Sequence, residues 1–229
     1  MSGHAGQGSK PADTASCPHK QHDRRPSRVG DGTVHQAPWT GGTSLNTLVR
    51  SPQTLSEADR RLVAGWAADC AERVLGLFEA EVPHDERPRV LIARARAFAA
   101  GELNTAEEIR RRFAGGVGAK EVKAPAAVAA ARSAGQAVGV CHMGAHALGA
   151  AGYAALAAGL AAPDRPEAVG DEIRWQLAHM SAEVRAALKA LPPIGEDRSG
   201  PLGPGLLASG PLGMIIRELQ TGLARPDLA

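Results

Sequence analysis

Aromatic residues make up only 3% of this 229-residue chain, and its valines and isoleucines are sparse and scattered. Strands draw on those residue types to cover a pleated surface, so a sheet has little to be built from. Cysteine is scarce as well. Cys17, Cys70 and Cys141 form an odd, widely spaced set, which suits neither a disulfide framework nor a paired zinc-knuckle spacing and points to a reducing, cytoplasmic compartment. A surplus of one charge is also missing: residues 51–191 hold seventeen Lys plus Arg and seventeen Asp plus Glu. A nucleic-acid surface needs excess cations and a nucleic-acid mimic needs excess carboxylates, and neither is present. The polar, glycine-rich start has no apolar stretch of the kind a secretion signal requires.

What the chain does have is alanine, the largest part of a 44% hydrophobic content, which favours helices in close contact. The expected fold class is all-α: a single compact bundle of about six helices over residues 52–192. A disordered basic tail is expected at residues 1–51. In residues 1–50 six cations face three carboxylates, and the segment holds His4, His19, His22 and His35 but almost no periodic apolar residues. A Gly/Pro-rich flexible tail is expected at residues 193–229, where Ser199-Gly200-Pro201-Leu202-Gly203 recurs as Ser209-Gly210-Pro211-Leu212-Gly213. Residues 214–223 have the spacing for one short terminal helix.

Helix signals punctuate the middle of the chain. Thr54-Leu55-Ser56-Glu57 reads as a capping box that opens a first helix to about Ala80. Its buried stripe is Leu62, Trp66, Cys70, Val74, Leu77 and Phe78, with Arg60, Arg61, Glu72 and Glu79 opposite. Arg87-Pro88 starts a second helix with Leu91, Ala95 and Phe98 inward, closed by Gly101. Thr105-Ala106-Glu107-Glu108 reads as another capping box, opening a third helix that Gly115, Gly116 and Gly118 weaken. From Ala126 to Ala162 no charge appears after Arg132. The run is mainly Ala and Gly with Gln136, His142 and His146 inside it, too polar for a membrane span, so it is expected as a central helix or a tight pair. A fifth helix passes through Ile173 and Trp175, and Ser181 caps a sixth ended by Pro192-Pro193.

The candidate chemistry is thin. His142 and His146 stand at i and i+4, the spacing that puts two imidazoles on one helix face, but the glutamate of a zincin motif is absent because position 143 is Met. A metal site there must recruit Asp69, Cys70 or His179, and the competing reading is a pair of locally hydrogen-bonded core histidines. Asp69 is expected to pair with Arg73 along the first helix. The Gly115-to-Lys120 segment lacks the spacing, the hydroxyl residue and the preceding strand of a phosphate loop. Arg110-Arg111-Arg112 reads as a solvated face near Glu107 and Glu108.

Four strings together resemble a known family: Trp66-Ala67-Ala68-Asp69-Cys70-Ala71-Glu72, the Arg87-Pro88 helix start, Ala145-His146-Ala147-Leu148-Gly149-Ala150-Ala151-Gly152-Tyr153, and Arg174-Trp175-Gln176-Leu177. The chain is similar, over roughly residues 54–191, to the immunity proteins of bacterial polymorphic toxin systems, specifically the helical domain named for its likeness to the fifth immunity family. The glycines at 115, 116 and 118 and the segment after Pro192 depart from that pattern. The resemblance implies a bacterial, helical protein that binds and neutralises a cognate toxin by protein-protein contact. No catalytic residues, cofactor, nucleic acid or membrane partner is expected, and nothing in the sequence sets the oligomeric state. The alternative is a metal-dependent helical enzyme using His142 and His146 with Asp69 or Cys70. Because residues 1–50 lack an apolar pattern, their deletion is expected to leave the melting temperature nearly unchanged in a thermal scan, whereas a large drop would show that the N-terminus docks.

Overall fold

The computed structural model describes residues 51–111 and 116–225, all within one compact unit, and the expected N-terminal tail lies outside them apart from Ser51. Among the described residues there are eight α-helices and no strand: α1 (Glu57–Glu79), α2 (Arg87–Ala99), α3 (Thr105–Arg111), α4 (Pro125–Gly139), α5 (His146–Ala161), α6 (Ala168–Ala178), α7 (Ala182–Lys189) and α8 (Gly210–Ala224). The all-α class stands, with more helices than the six expected. None is long and apolar enough to cross a membrane.

The alanine-rich run resolves into the tight pair. Ser133 donates to the Ala150 carbonyl at 2.7 Å and Gln136 meets His146 at 2.7 Å. Residue numbers rise along α4 as they fall along α5, so the two are antiparallel. Every residue from Ala147 to Ala155 is buried, which makes α5 an interior helix with neighbours all round it. Helix α1 packs on both members of the pair and α2 lies against α1 and α4, while α6 and α8 cover α5.

Local signals explain most boundaries, with shifts of one or two residues. Helix α1 is capped by Ser56, whose Oγ accepts from the Asp59 N–H at 3.0 Å and donates to Asp59 Oδ2 at 2.7 Å. The N-cap is therefore Ser56, bonded to Asp59, and not Thr54 with Glu57. At α3 the cap is Asn104, whose side-chain oxygen accepts from the N–H groups of Ala106 and Glu107 at 3.0 and 3.2 Å. Thr105 is the first helical residue and donates to Glu57 at 2.8 Å, which ties α3 to α1. Proline at the α2 start, Gly101 at φ +81° after its end and Ser181 on α7 act as the sequence indicates.

The burial stripe of α1 is broader than a three-to-four spacing predicts. Trp66, Cys70, Val74 and Phe78 are buried, but so are Val63, Ala64, Ala67, Ala68 and Ala71, while Leu62 is exposed. Arg60, expected on the outer face, is buried beside α1's start and donates to the Leu55 carbonyl at 3.1 Å. The long apolar stem of arginine and a carbonyl within reach make that position tolerable. Glu108, expected among exposed charges, is buried and accepts two bonds from Arg94 of α2 at 3.0 and 2.7 Å.

The largest difference from expectation lies after Pro192. Residues 193–225 pack onto the bundle, burying Ile194, Leu202, Leu207, Leu212, Ile215, Ile216, Leu219 and Leu223. The two identical pentamers take different shapes. The first forms a turn in which Gly200, at φ +79°, lets the chain wrap Gln53, and the second opens α8 with Pro211 in its first turn. Each buries its leucine. Gln53 is the clasp: its amide donates to Asp197 Oδ2 and the Ser199 carbonyl at 2.6 Å each and accepts from the Leu202 N–H at 2.9 Å. Gln220 then bonds the Ile194 N–H and the Pro192 carbonyl, both at 2.9 Å. Composition signals flexibility here, but one leucine per pentamer and a buried amide decide otherwise.

Each fully buried Leu or Ile contributes about 1.5–3 kcal/mol, so removing residues 193–229 strips a sum comparable with a whole domain's stability. The truncated chain is expected to lose at least about 5 kcal/mol in urea denaturation or to fail to fold. An unchanged midpoint would show that the segment is not integral to the fold.

Candidate functional site

The first and last of the four strings meet in the interior. Trp66 of α1 donates its indole N–H to the Gln176 carbonyl of α6 at 3.0 Å. The Gln176 amide in turn donates to the Ala151 carbonyl and to Glu172, each at 3.2 Å. Glu172 is buried, and Arg73 of α1 grips it as a fork, with Nε 3.0 Å from both carboxylate oxygens and Nη2 3.0 Å from Oε2. The outer face of this network reaches solvent: the Arg73 guanidinium lies 3.8 Å from the Trp175 ring centroid, and Trp175 stacks on the exposed His179 at 4.0 Å and 22°. A layered face of Glu172, Arg73, Trp175 and His179 results, its cation held flat by a buried carboxylate. Sequence reasoning missed it, because Arg73 is the natural i+4 partner of Asp69 and nothing local links it to a residue 99 positions away.

Asp69 pairs instead with Arg96 of α2, at 2.8 Å, on the solvent side of α1. Burial raises its carboxyl above the usual range, with Arg96 opposing that shift. Cys70 is buried in the core. Burial, reinforced by Glu172, pushes its thiol well up, so it stays protonated at neutral pH.

The two histidines of the candidate metal motif do come together, but not on one helix face. Helix α4 ends at Gly139 and α5 begins at His146, so His142 lies in the connecting turn. The turn brings the rings to 4.8 Å between centroids at 51°. His146 Nδ1 is 2.7 Å from Gln136 Oε1, and since an amide oxygen only accepts, Nδ1 carries the hydrogen. Two glycines make room for this pair. A Cβ at Gly139 would sit 3.0 Å from the His146 ring, and one at Gly149 would collide with the Gln136 amide oxygen. Neither Asp69, Cys70 nor His179 is brought to the histidines, and among the described residues no group of three or more His, Cys, Asp or Glu side chains is placed to hold a metal ion.

The histidine pair borders a cleft of about 380 Å³. Arg132, Gln136 and Tyr153 share its lining with Val117 and Leu206. Burial raises the Tyr153 phenol, with Arg132 opposing the shift, so the hydroxyl remains a donor at neutral pH.

Comparison with known families assigns most of the bundle: the family described as "Imm-5 like putative immunity protein" matches residues 53–183, more than half of the chain. The chain belongs to this Imm-5 like family. No curated protein and no solved structure gave a match. The matched residues take in the Trp66–Gln176 contact, the Arg73–Trp175–His179 face and both histidines. Leu206, the outer wall of the cleft, stands beyond them, so the Imm-5 like residues supply the polar lining and the segment after Pro192 supplies the rim.

Proposed function

We propose that this chain binds a cognate bacterial toxin and neutralises it by protein-protein contact in the cytoplasm, without catalysis and without a resident metal or other cofactor. The observation that carries this reading is the match to an immunity-protein family over residues 53–183. The outer face of α1 and α6 supports it. Interface hot spots are enriched in arginine and tryptophan held in rigid, well-packed settings. Arg73 and Trp175 fit that description, because Glu172 fixes the guanidinium and the guanidinium in turn covers the indole. Little ordering entropy remains to be lost there on association. Formal neutrality of residues 51–191 argues for a protein partner rather than a nucleic acid.

The test is co-expression with toxins encoded beside the gene. Growth is expected to be restored and a complex to be isolated, with Trp175→Ala weakening that complex by about 2 kcal/mol, roughly 30-fold in Kd, at an unchanged melting temperature. No protection against any neighbouring toxin would overturn the reading.

Elemental analysis after dialysis separates this reading from a metal-dependent enzyme. Well under one equivalent of any transition metal per chain is expected, since two imidazoles leave a tetrahedral site incomplete. About one zinc per chain, lost on His142→Ala or His146→Ala, would favour the metal alternative.

A further inference from the structure

The cleft beside the histidine pair has a chemistry that toxin binding through the outer α1 and α6 face does not use. Its polar side chains are Arg132, Gln136, His142, His146 and Tyr153, and no Asp or Glu among the described residues lines it. These groups donate hydrogen bonds or can carry positive charge. The amide oxygen of Gln136 is already taken by His146 Nδ1 at 2.7 Å, which leaves the amide N–H₂ to offer. The Arg132 guanidinium lies 5.8 Å from the Tyr153 ring centroid, with no carboxylate partner among the described residues. Elsewhere on the molecule Arg61, Arg73, Arg87, Arg89, Arg94 and Arg96 each meet a carboxylate.

We propose that this cleft is a receptor for a single carboxylate carried on a short apolar stem. Arg132 is the one permanent cation in the lining among the described residues, which matches one negative charge better than a doubly charged phosphate. The Tyr153 hydroxyl and the Gln136 amide add neutral donors at the same wall, and Val117 and Leu206 give the stem apolar cover. A volume of about 380 Å³ lies in the range of small-ligand sites. The carboxylate has two chemical sources, a free short-chain acid or the acidic side chain of a peptide. The site is prepared for it, because the glycines at 139 and 149 let His146 and Gln136 interlock before any ligand arrives.

The experiment uses the ¹⁵N-labelled full chain titrated with butyrate, with butyramide as the neutral isostere, and with N-acetyl-glutamate α-amide as the peptide-borne acid. At least one of the two acids is expected to shift the Gly135, Gln136 and Gly139 amides saturably, butyramide is not, and the acid that saturates names the source. Arg132→Gln is expected to weaken that binding at least about tenfold, the loss of one charged hydrogen bond. Its melting temperature should hold, because the side chain is exposed. No saturation with either acid, an equal response to butyramide, or full binding by Arg132→Gln would overturn the proposal. Loss of toxin protection with carboxylate binding intact would count against the toxin reading alone.

Discussion

The close approach of α4 and α5 is the constraint on which the remaining architecture depends. Alanine and glycine faces let the two backbones come near enough for Ser133 to reach a main-chain carbonyl across the gap. Small side chains gain dispersion contacts only at such short range, and an interior helix without charge has to be enclosed on every side. Helices α1 and α2 close one flank, and α6 and α8 close the other. At Gly152 a Cβ would stand 2.7 Å from Ile216, so α8 rests directly on the α5 backbone. The segment after Pro192 is accordingly part of the enclosure and not an appendage to it.

Polar side chains in this interior act as fasteners between distant parts of the chain. Gln53 joins the start of the bundle to the turn at 197–202, Gln176 joins α6 to α5, and Arg185 donates to the last carbonyls of α6 and α8. The Arg185 contacts place a cation where two helix dipoles end. Buried amide N–H groups of this kind are costly unless they find acceptors, and placing those acceptors fixes which helix packs where. A core of interchangeable alanines specifies little by shape alone.

Legibility in the sequence divides along the same line. Caps, prolines and closing glycines are local, so Pro88, Gly101 and Ser181 could be read directly, and the Asn104 and Ser56 caps were missed by only one or two positions. The all-α class came from the scarcity of strand formers. Pairings between distant segments could not be read: Arg73 with Glu172, Arg94 with Glu108, Gln53 with Asp197. The histidine pair reads as helical because an Ala/Gly run carries no stop signal at 140–145, yet the turn brings the rings together all the same. Gly/Pro pentamers look flexible because composition weighs the glycines and cannot see where Leu202 and Leu212 go. Of the candidate site, the histidines were visible in the sequence, while the Arg73–Trp175–His179 face was not.

Charge and apolar surface together limit how such a molecule recognises a partner. Most arginines of α1 and α2 are already committed to carboxylates within the bundle, so those two helices do not build a strong field of one sign that would steer a partner from a distance. Exposed large aliphatic side chains are scattered, at Leu62, Val90, Leu160, Leu206 and Met214, and single apolar residues of that kind do not make an interface. Of the two tryptophans among the described residues, Trp66 is spent on the interior and Trp175 alone remains near the surface. Under the proposed function, recognition at that face would depend on one stacked indole and its fixed guanidinium. Selectivity has to come from the fit of neighbouring polar groups, in which Arg96, Asp69 and Glu72 already form a connected set. A partner that cannot match their charges would desolvate this set without compensating hydrogen bonds, a cost that disfavours wrong partners.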